Sequence, residues 1–451
     1  MQLVNIMMMP KCRLLLLVLL ALPFFSMSQE NSPYSRYGIG NLVPTGNILN
    51  RGMGGISAGV SDPASINFLN PASYSNLVYT TFDVGADFAS RTIKSSNPPV
   101  SYTSNNAIIS YLQIGFPLLN GNKKALKHQT SWGVSFGLRP VSKINYKIQN
   151  EKRLTNIDSL QTTYEGSGGL NEAFIGTGIR IKDFSFGINA GYAFGNKDYS
   201  TRLIFINDSV PYIKSNSATN THFGGAFLTA GVQYNTTLSK DKSFLKLGAY
   251  GRLQQTLTGT QDVKRESFSY NSLTGSPDRL DSIYQTTGTS GKIVMPATFG
   301  IGFTVTNLSD NLIERLVYGA DFEMTNWNNY SFYGQKDAVK NNWIAKAGIQ
   351  YYPASNSSRK YWNFVKYRAG LYFGPDYNVA NNNLPQYGIT IGGGFPLKIK
   401  RSFYETQYSL MNVALDYGNR GNSSNLVRES IFHVSLGFSL SDIWFTRQKY
   451  Q

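Results

Sequence analysis

The chain has 451 residues and a formal net charge of +16, yet only 15% of its residues are charged. Soluble domains average about 25% charged residues. The 43 glycines and 14% aromatic residues exclude a disordered chain and a coiled coil. A mean hydropathy of −0.24 argues against a bundle of membrane-spanning helices. The composition leaves an exported soluble protein or a membrane β-barrel.

The first 28 residues predict a cleaved signal peptide, with an N-terminal anchor helix as the alternative. Two basic residues, Lys11 and Arg13, precede an apolar stretch that ends at Phe25 and is too short to span a bilayer. Small residues follow at the positions that signal peptidase reads. Cleavage removes Cys12, the only cysteine, so we expect neither disulfides nor thiolate chemistry in the mature chain.

From about Val78 onward, apolar and polar residues alternate with period two, as in Phe184–Phe194 and Phe432–Leu440. Such segments are typical of transmembrane β-strands. A soluble sandwich also alternates. The segments here are longer than the usual 5–6 residues, and their apolar faces end in aromatic residues such as Trp343 and Tyr351. The pattern predicts an all-β fold, a transmembrane antiparallel β-barrel.

About fourteen such segments can be counted, and the linkers between them test the count. Linkers after odd-numbered strands are mostly long and polar, including 150–168, 202–219 and 263–289, whereas those after even-numbered strands are mostly short, such as 182–183. The linker 118–129 is the exception. Barrels have short periplasmic turns and long external loops, so both termini are expected in the periplasm. The predicted strands lie near 79–92, 105–117, 130–149, 169–181, 184–201, 220–237, 244–262, 290–305, 315–328, 341–353, 361–374, 386–399, 403–418 and 429–446.

Residues 29–77 do not alternate and are rich in Gly, Asn, Ser and Pro. They carry apolar residues that need burial, including Ile56 and Ile66, so we expect a hatch that plugs the lumen. A periplasmic tail is the alternative. The predicted order is therefore signal peptide, hatch, barrel over 78–446 and a short tail over 447–451.

Two stretches of the hatch resemble the long-chain fatty acid transporter (FadL) family. Ser61–Ala72 resembles its Asp-x-Ala-Ser…Asn-Pro-Ala stretch, which joins the hatch to the first strand, and Arg51–Gly59 resembles its Gly-rich hatch segment. The family barrel also has fourteen strands. The resemblance implies passive uptake of small hydrophobic, fatty-acid-like compounds across the outer membrane of a Gram-negative bacterium. The candidate ligand-binding residues of the hatch are Met53, Gly54, Gly55, Phe68, Asn70 and Pro71.

In that family, ligand is thought to leave sideways through a gap where an early strand kinks. Pro140 lies within the third predicted strand, and proline removes a hydrogen-bond donor from the sheet. The resemblance therefore makes Pro140 a candidate for a lateral opening. An ordinary bulge near the end of the strand is the alternative.

The opening segment Ser32–Gly38 resembles other barrels of this superfamily. One branch, the PorV-like barrels of type IX secretion, comprises partner proteins that hold or hand over cargo. Ligand residues of the well-studied transporters are therefore not transferred to this chain. The alternative function is a non-transporting, partner-binding barrel subunit of an outer-membrane secretion or assembly machine.

Charged residues on the polar faces of the strands are expected in the lumen, because a charge facing lipid costs about 2–4 kcal/mol at the midplane. There they either form ion pairs that close the interior or line a selective pore. These predicted lumen charges are Asp83, Asp87, Arg139, Arg180, Arg252, Asp321, Glu323, Lys366 and Arg368.

The sequence indicates no enzymatic chemistry. Histidine is limited to His128, His222 and His433. No cluster has metal-ligand spacing, and no Gly-rich phosphate loop is present. We expect no catalytic residues, no metal and no cofactor. The basic residues are scattered, which favours outer-membrane lipid as a partner over nucleic acid. Hydrophobic small molecules and other envelope proteins are the further candidate partners.

Overall fold

A computed structural model describes residues 32–119, 130–155, 159–206, 212–239, 242–271, 273–309, 314–353, 360–379, 384–397 and 408–442. The predicted signal peptide, the C-terminal tail and most of the linker 118–129 lie outside these residues. Within them, no helix is both long enough and apolar enough to cross a membrane.

The described chain is built almost entirely from antiparallel strands, with a few short helical turns. The helix α1 is Ile48–Arg51, and 3₁₀ turns lie at Pro33–Arg36, Pro71–Asn76, Trp327–Asn329 and Tyr361–Phe364. The strands are β1 Asn41–Leu42, β2 Thr80–Ser96, β3 Pro99–Leu119, β4 Thr130–Arg153, β5 Ser159–Ile181, β6 Phe184–Phe205, β7 Lys214–Ser239, β8 Ser243–Arg252, β9 Gln255–Tyr270, β10 Pro277–Met295, β11 Thr298–Leu308, β12 Glu314–Thr325, β13 Ser331–Phe332, β14 Asn342–Tyr351, β15 Lys366–Pro375, β16 Pro385–Pro396, β17 Tyr408–Arg420 and β18 Val427–Asp442.

These segments form a closed barrel of fourteen wall strands. β8 and β9 are one wall strand interrupted at 253–254, since both pair with β7. β10 and β11 are likewise one strand, interrupted at 296–297. The two-residue strands β1 and β13 pair with β4 and β10 and are not counted as wall strands. Pairing of β18 with β2, from Asp442↔Thr80 to Val427↔Ser95, closes the barrel. The prediction of a fourteen-stranded barrel is confirmed.

The burial pattern of the strands is inverted relative to that of a soluble protein. On β6, Phe186 is 54% exposed, whereas the neighbouring Ser185 is fully buried. On β18, Leu440 is 50% exposed and Ser439 is buried. Apolar side chains thus point outward in a belt and polar side chains point into the lumen, as expected when the outer solvent is lipid.

The two ends of the barrel differ in height. The turn between β5 and β6 contains only Lys182 and Asp183, and this end is called the short-turn end. At the opposite end, the sequence predicts long loops over 150–168, 202–219 and 263–289. That prediction is wrong, because most of these residues continue the strands as tall hairpins. Above the lipid both faces of a strand meet water, so the apolar alternation that marks a strand in the sequence fades there.

The hatch, residues 32–77, fills the lumen, which confirms the prediction of an N-terminal plug. Its irregular backbone leaves carbonyl groups that strands would otherwise satisfy, and side chains of the wall donate to them. Gln113 Nε2 donates to the Ile66 carbonyl at 3.0 Å, and Asn189 Nδ2 donates to the Phe68 carbonyl at 3.0 Å. The polar inner face of the barrel therefore serves the hatch, because buried backbone groups require partners.

Candidate functional site

The lumen contains a cavity of about 320 Å³ between the hatch and the wall. Apolar side chains on one part of its lining come from the hatch and from β4, β5 and β7, and include Phe68, Leu69, Val141, Phe174 and Phe227. The rest of the lining mixes apolar and neutral polar side chains, such as Met295 and Asn342, with the charged side chains of two ion-pair groups. A volume of this size lies at the lower end of the range for small-molecule sites.

The wall beside this cavity is incompletely paired between β3 and β4. Their ladder runs only from Leu119↔Trp132 to Leu112↔Leu138. Beyond Leu138, β4 continues to Arg153 while β3 remains paired with β2. The break, which we call the seam, begins next to Pro140, where the β4–β5 register also shifts.

The hatch strand β1 occupies part of the seam. Asn41 and Leu42 are the register partners of Lys143 and Ser142 on β4. Two further contacts secure the segment, since Ser142 Oγ donates to the Ile39 carbonyl at 2.7 Å and the Val43 N–H donates to the Val141 carbonyl at 3.0 Å. Leu42 remains 39% exposed. The hatch therefore contributes to the barrel wall at this point.

Glu172 on β5 forms the centre of one buried charge group in the cavity. It accepts hydrogen bonds from Arg139 Nη2 at 2.8 Å and from Arg252 Nη2 at 3.0 Å, and its own side chain is fully buried. The Arg139 guanidinium also lies 4.6 Å from the Phe68 ring centroid, and that of Arg252 lies 4.4 Å from Phe227. Cation–π contacts of this kind join the charged and apolar parts of the lining.

A second charge group lies toward the tall hairpins. Arg420 Nη2 donates to Asp376 Oδ1 at 2.9 Å, and Arg420 also pairs with Glu429. Glu429 is bound in addition by Arg91 and by the Ser32 hydroxyl at 2.6 Å. This group ties the start of the hatch to three strands of the wall.

Charged side chains of β12 and β15 hold the hatch from another side of the barrel. Asp321 Oδ2 accepts the Ser57 and Ala58 N–H groups at 2.5 and 2.8 Å. Lys366 Nζ lies 3.3 Å from Asp62 Oδ2. Burial alone would raise the pKa of Asp62, but the Lys366 ammonium and the Ala64 N–H outweigh it and hold this pKa below 3.8.

The structure places all nine predicted lumen charges with their side chains inside the barrel. Asp83 accepts from Ser439 Oγ at 3.1 Å, and Asp87 accepts from Ser435 Oγ at 2.7 Å. The remaining predicted charges also have polar partners inside the barrel, namely Arg139 and Arg252 with Glu172, Arg180 with Asn76, Asp321 with the Ser57 and Ala58 N–H groups, Glu323 with Lys346, Lys366 with Asp62, and Arg368 with Gln350 and Asn412.

The predicted hatch residues separate into two groups. Gly54, Gly55 and Phe68 line the cavity, as does Pro140 in the wall. Gly54 has a φ of +70°, and an added Cβ would lie 2.6 Å from the Ala347 carbonyl oxygen, so only glycine fits there.

The other three predicted hatch residues do not line the cavity. Met53 packs with Leu49, Ile56 and Val60. Asn70 caps the 3₁₀ turn that begins at Pro71, with its side-chain oxygen accepting the Ala72 N–H at 3.2 Å. Their contacts in this structure are with the hatch and the wall.

Sequence reasoning missed several residues of the charge groups, namely Glu172, Asp376, Arg420 and Glu429. Glu172 shares the inward register of Phe174, so period two along the predicted strand 169–181 could have revealed it. Asp376 lies outside a strand, and Arg420 and Glu429 lie near strand ends, where the alternation gives no signal.

The barrel and its hatch define a transmembrane β-barrel with an N-terminal plug. The sequence matches the family described as BamG over residues 8–451, and the chain belongs to this family. Comparison with curated proteins gives no significant match.

Solved structures share the fold at low sequence identity. The Pseudomonas putida toluene transporter TodX has 16% identity and a TM-score of 0.55, over 90% of this chain and 99% of that one. The Ralstonia pickettii toluene transporter TbuX has 13% identity and a TM-score of 0.51, over 88% and 98%. A Pseudomonas aeruginosa FadL homologue has 13% identity and a TM-score of 0.50, over 90% and 100%.

Proposed function

We propose that this barrel mediates passive uptake of small hydrophobic compounds across the outer membrane, without catalysis or a cofactor. The observation that carries the proposal is a cavity with a partly apolar lining that adjoins the seam, where β4 is not paired with β3. The solved relatives named as toluene transporters share the fold. A compound in the cavity contacts Phe68, Phe174 and Phe227 and lies beside the Glu172 ion pairs that line the same cavity.

In this proposal the compound leaves through the seam beside Pro140 and not through the plugged axis. The seam opens where the outward-facing apolar belt of β4, which includes Trp132, Phe136 and Leu138, comes to an end. Displacement of β1 from β4 would open the cavity at the edge of the apolar belt. The short turns, and with them the strand ends at Thr80 and Asp442, are proposed to face the periplasm, as expected for both termini. Ser32, the first described residue, lies in the lumen beside Asn145.

A reversible lock on β1 tests this route. Leu42 and Ser142 are register partners, so the double variant L42C/S142C places two thiols across the seam in a mature chain expected to lack cysteine. We expect oxidation to abolish uptake of a labelled monoaromatic compound into proteoliposomes, and reduction to restore it. The control pair A86C/L436C joins β2 to β18 in the continuous wall and should leave uptake unchanged. Equal uptake by the oxidised and reduced seam variant would exclude the route.

A second candidate function is that of a partner-binding, non-transporting barrel, and the ion-paired interior favours it. Glu172 is buried against Arg139 and Arg252, and Arg420 is buried against Glu429. An open pore would have to break these pairs. The resemblance of Ser32–Gly38 to the superfamily that includes the PorV-like barrels also supports a partner-binding function. Gentle-detergent purification with lipid analysis separates the two functions, because transport predicts bound lipid or ligand and a partner-binding subunit predicts stoichiometric envelope proteins.

A further inference from the structure

The β9–β10 hairpin stands beyond the apolar belt of the barrel. Its lower continuations, β8 and β11, carry the belt on outward-facing residues that include Leu247 and Ile301. Since about 9–11 residues of a tilted strand cross the hydrocarbon core, β8 and β11 suffice for the span. The whole of β9 and β10, up to the turn between Tyr270 and Pro277, therefore lies outside the lipid.

One edge of this hairpin is unpaired. β10 is bonded to β9 from Pro277 to Met295, but on its other side it meets only β13, at Ile293 and Val294. β12 pairs with β11 and does not reach this level. From Pro277 to Thr287, the described chain supplies no strand for this side of β10. Register shifts against β9 divide this edge into short runs of paired residues, and its free N–H and C=O groups are available to an added strand.

Large apolar side chains accompany the free edge. Leu280 is 56% exposed and Ile283 is 70% exposed, and both are the extra residues at register shifts against β9. Leu273 in the turn is 94% exposed. Water surrounds this part of the molecule, so covering these side chains with another apolar surface would be favourable. The tip of another tall hairpin, β4–β5, differs, since its last residues include Glu151, Lys152 and Arg153.

A second copy of this chain is a poor fit to the edge. Copies in one membrane insert in the same direction, so a twofold axis along the membrane normal relates them. Such an axis brings the same edge of both β10 strands together at the same height, which sets N–H groups against N–H groups. A strand from a different chain has no such restriction on its direction or register.

We propose that the free edge of β10, with Leu280 and Ile283, docks an extended segment of a different polypeptide at the cell surface. The segment adds a strand to the edge, and its apolar side chains cover the two exposed residues. The exposed carboxylate of Asp281 borders the edge and favours a partner with a cationic side chain at the matching position. This surface goes beyond the passage of small compounds and would equally serve the partner-binding candidate.

Site-specific photo-cross-linking in intact cells tests the proposal, with a photoreactive amino acid placed singly at positions 278 to 284. We expect adducts with one protein, whose cross-linked residues, mapped by mass spectrometry, advance along one contiguous segment as the probe position advances. That progression is the signature of strand pairing and is not produced by casual collision. Adducts with lipid only, with a second copy only, or with unrelated sites on many proteins would overturn the proposal, as would no adduct.

Charge substitution supplies the energetic test. Leu280→Asp and Ile283→Asp should each reduce the adduct yield from a probe at position 282 by about tenfold or more, the effect of losing an apolar anchor. Val100→Asp, at another exposed hairpin tip (57% exposed), should leave the yield unchanged. Retention of the folded, heat-modifiable form in SDS confirms that each variant forms a barrel. Equal yields from all three folded variants would refute the site, whatever the result of the uptake assay.

Discussion

Asp321 on β12 and Ser57 in the hatch are 264 residues apart in sequence, yet the Asp321 carboxylate accepts the Ser57 backbone N–H at 2.5 Å. The same oxygen also accepts the Ala58 N–H at 2.8 Å. A carboxylate on the wall thus supplies the partner for two hatch amides that no strand or helix pairs. Hydrogen bonds to a charged group contribute about 1.5–3 kcal/mol each.

Asp321→Ala should therefore loosen the hatch without dissolving the barrel. We expect faster amide hydrogen exchange in residues 55–60 and little change in exchange of β17 and β18. Asp278→Ala, a control carboxylate in the tall β9–β10 hairpin, should leave exchange in the hatch at its original rate. Unaltered exchange in the Asp321 variant would show that other contacts suffice to hold this segment.

Glu172→Gln should destabilise the barrel and make it leak anions. The change leaves the Arg139 and Arg252 guanidinium groups without their carboxylate, and breaking a buried ion pair typically costs about 3–5 kcal/mol. Thermal unfolding in detergent measures the stability, and planar-bilayer recording measures the ion selectivity.

Glu165→Gln is the matched control for that measurement. Glu165 lies on the same strand and pairs with Lys147 at 2.9 Å, but both side chains are accessible to water. Such pairs are worth about 0–1 kcal/mol. If the two glutamine variants unfold at the same temperature, the central role of Glu172 is wrong.

The contact between Asp62 and Lys366 should make hatch attachment sensitive to acid. The pKa of Asp62 is lowered in the folded protein, so the contact stabilises the attached hatch fully above the unfolded value of 3.8. The contribution is lost as the pH falls below that value and through the lowered pKa. Hydrogen exchange of residues 61–66 should accelerate over this pH range, and Asp62→Asn should remove this pH dependence. Asp183→Asn, in the short turn, is the control that should retain it.

Pro140→Ala should reduce uptake while the barrel remains folded. The substitution restores a backbone N–H at the base of the seam, where it can extend the β3–β4 ladder beyond Leu138. Pro117→Ala is the control, because Pro117 lies at a register shift at the other end of the same ladder. Uptake measured in proteoliposomes at equal barrel content decides the matter. An equal fall in uptake in both variants would show that Pro140 has no specific role in opening the seam.

Local alternation was sufficient to predict the strand number, the outward apolar belt and the inward charges. Lipid outside and a polar lumen inside impose period two on every wall strand, and this is visible in segments such as Phe432–Leu440. The hatch was predictable for the opposite reason, since residues 29–77 lack any period yet contain apolar residues that require burial. The heights of the tall hairpins were not predictable, because strands with water on both faces lose the alternation.

The sequence by itself determined that this chain is a hatch-closed membrane barrel. Neighbouring residues of a strand face opposite sides, so their polarity reports whether each side meets lipid or a polar lumen. Only the tertiary structure decided that Glu172 joins Arg139 and Arg252, that β1 occupies the seam, and that the β10 edge is free. Those relationships join strands far apart in the chain, and they depend on register and barrel closure, which no local pattern encodes.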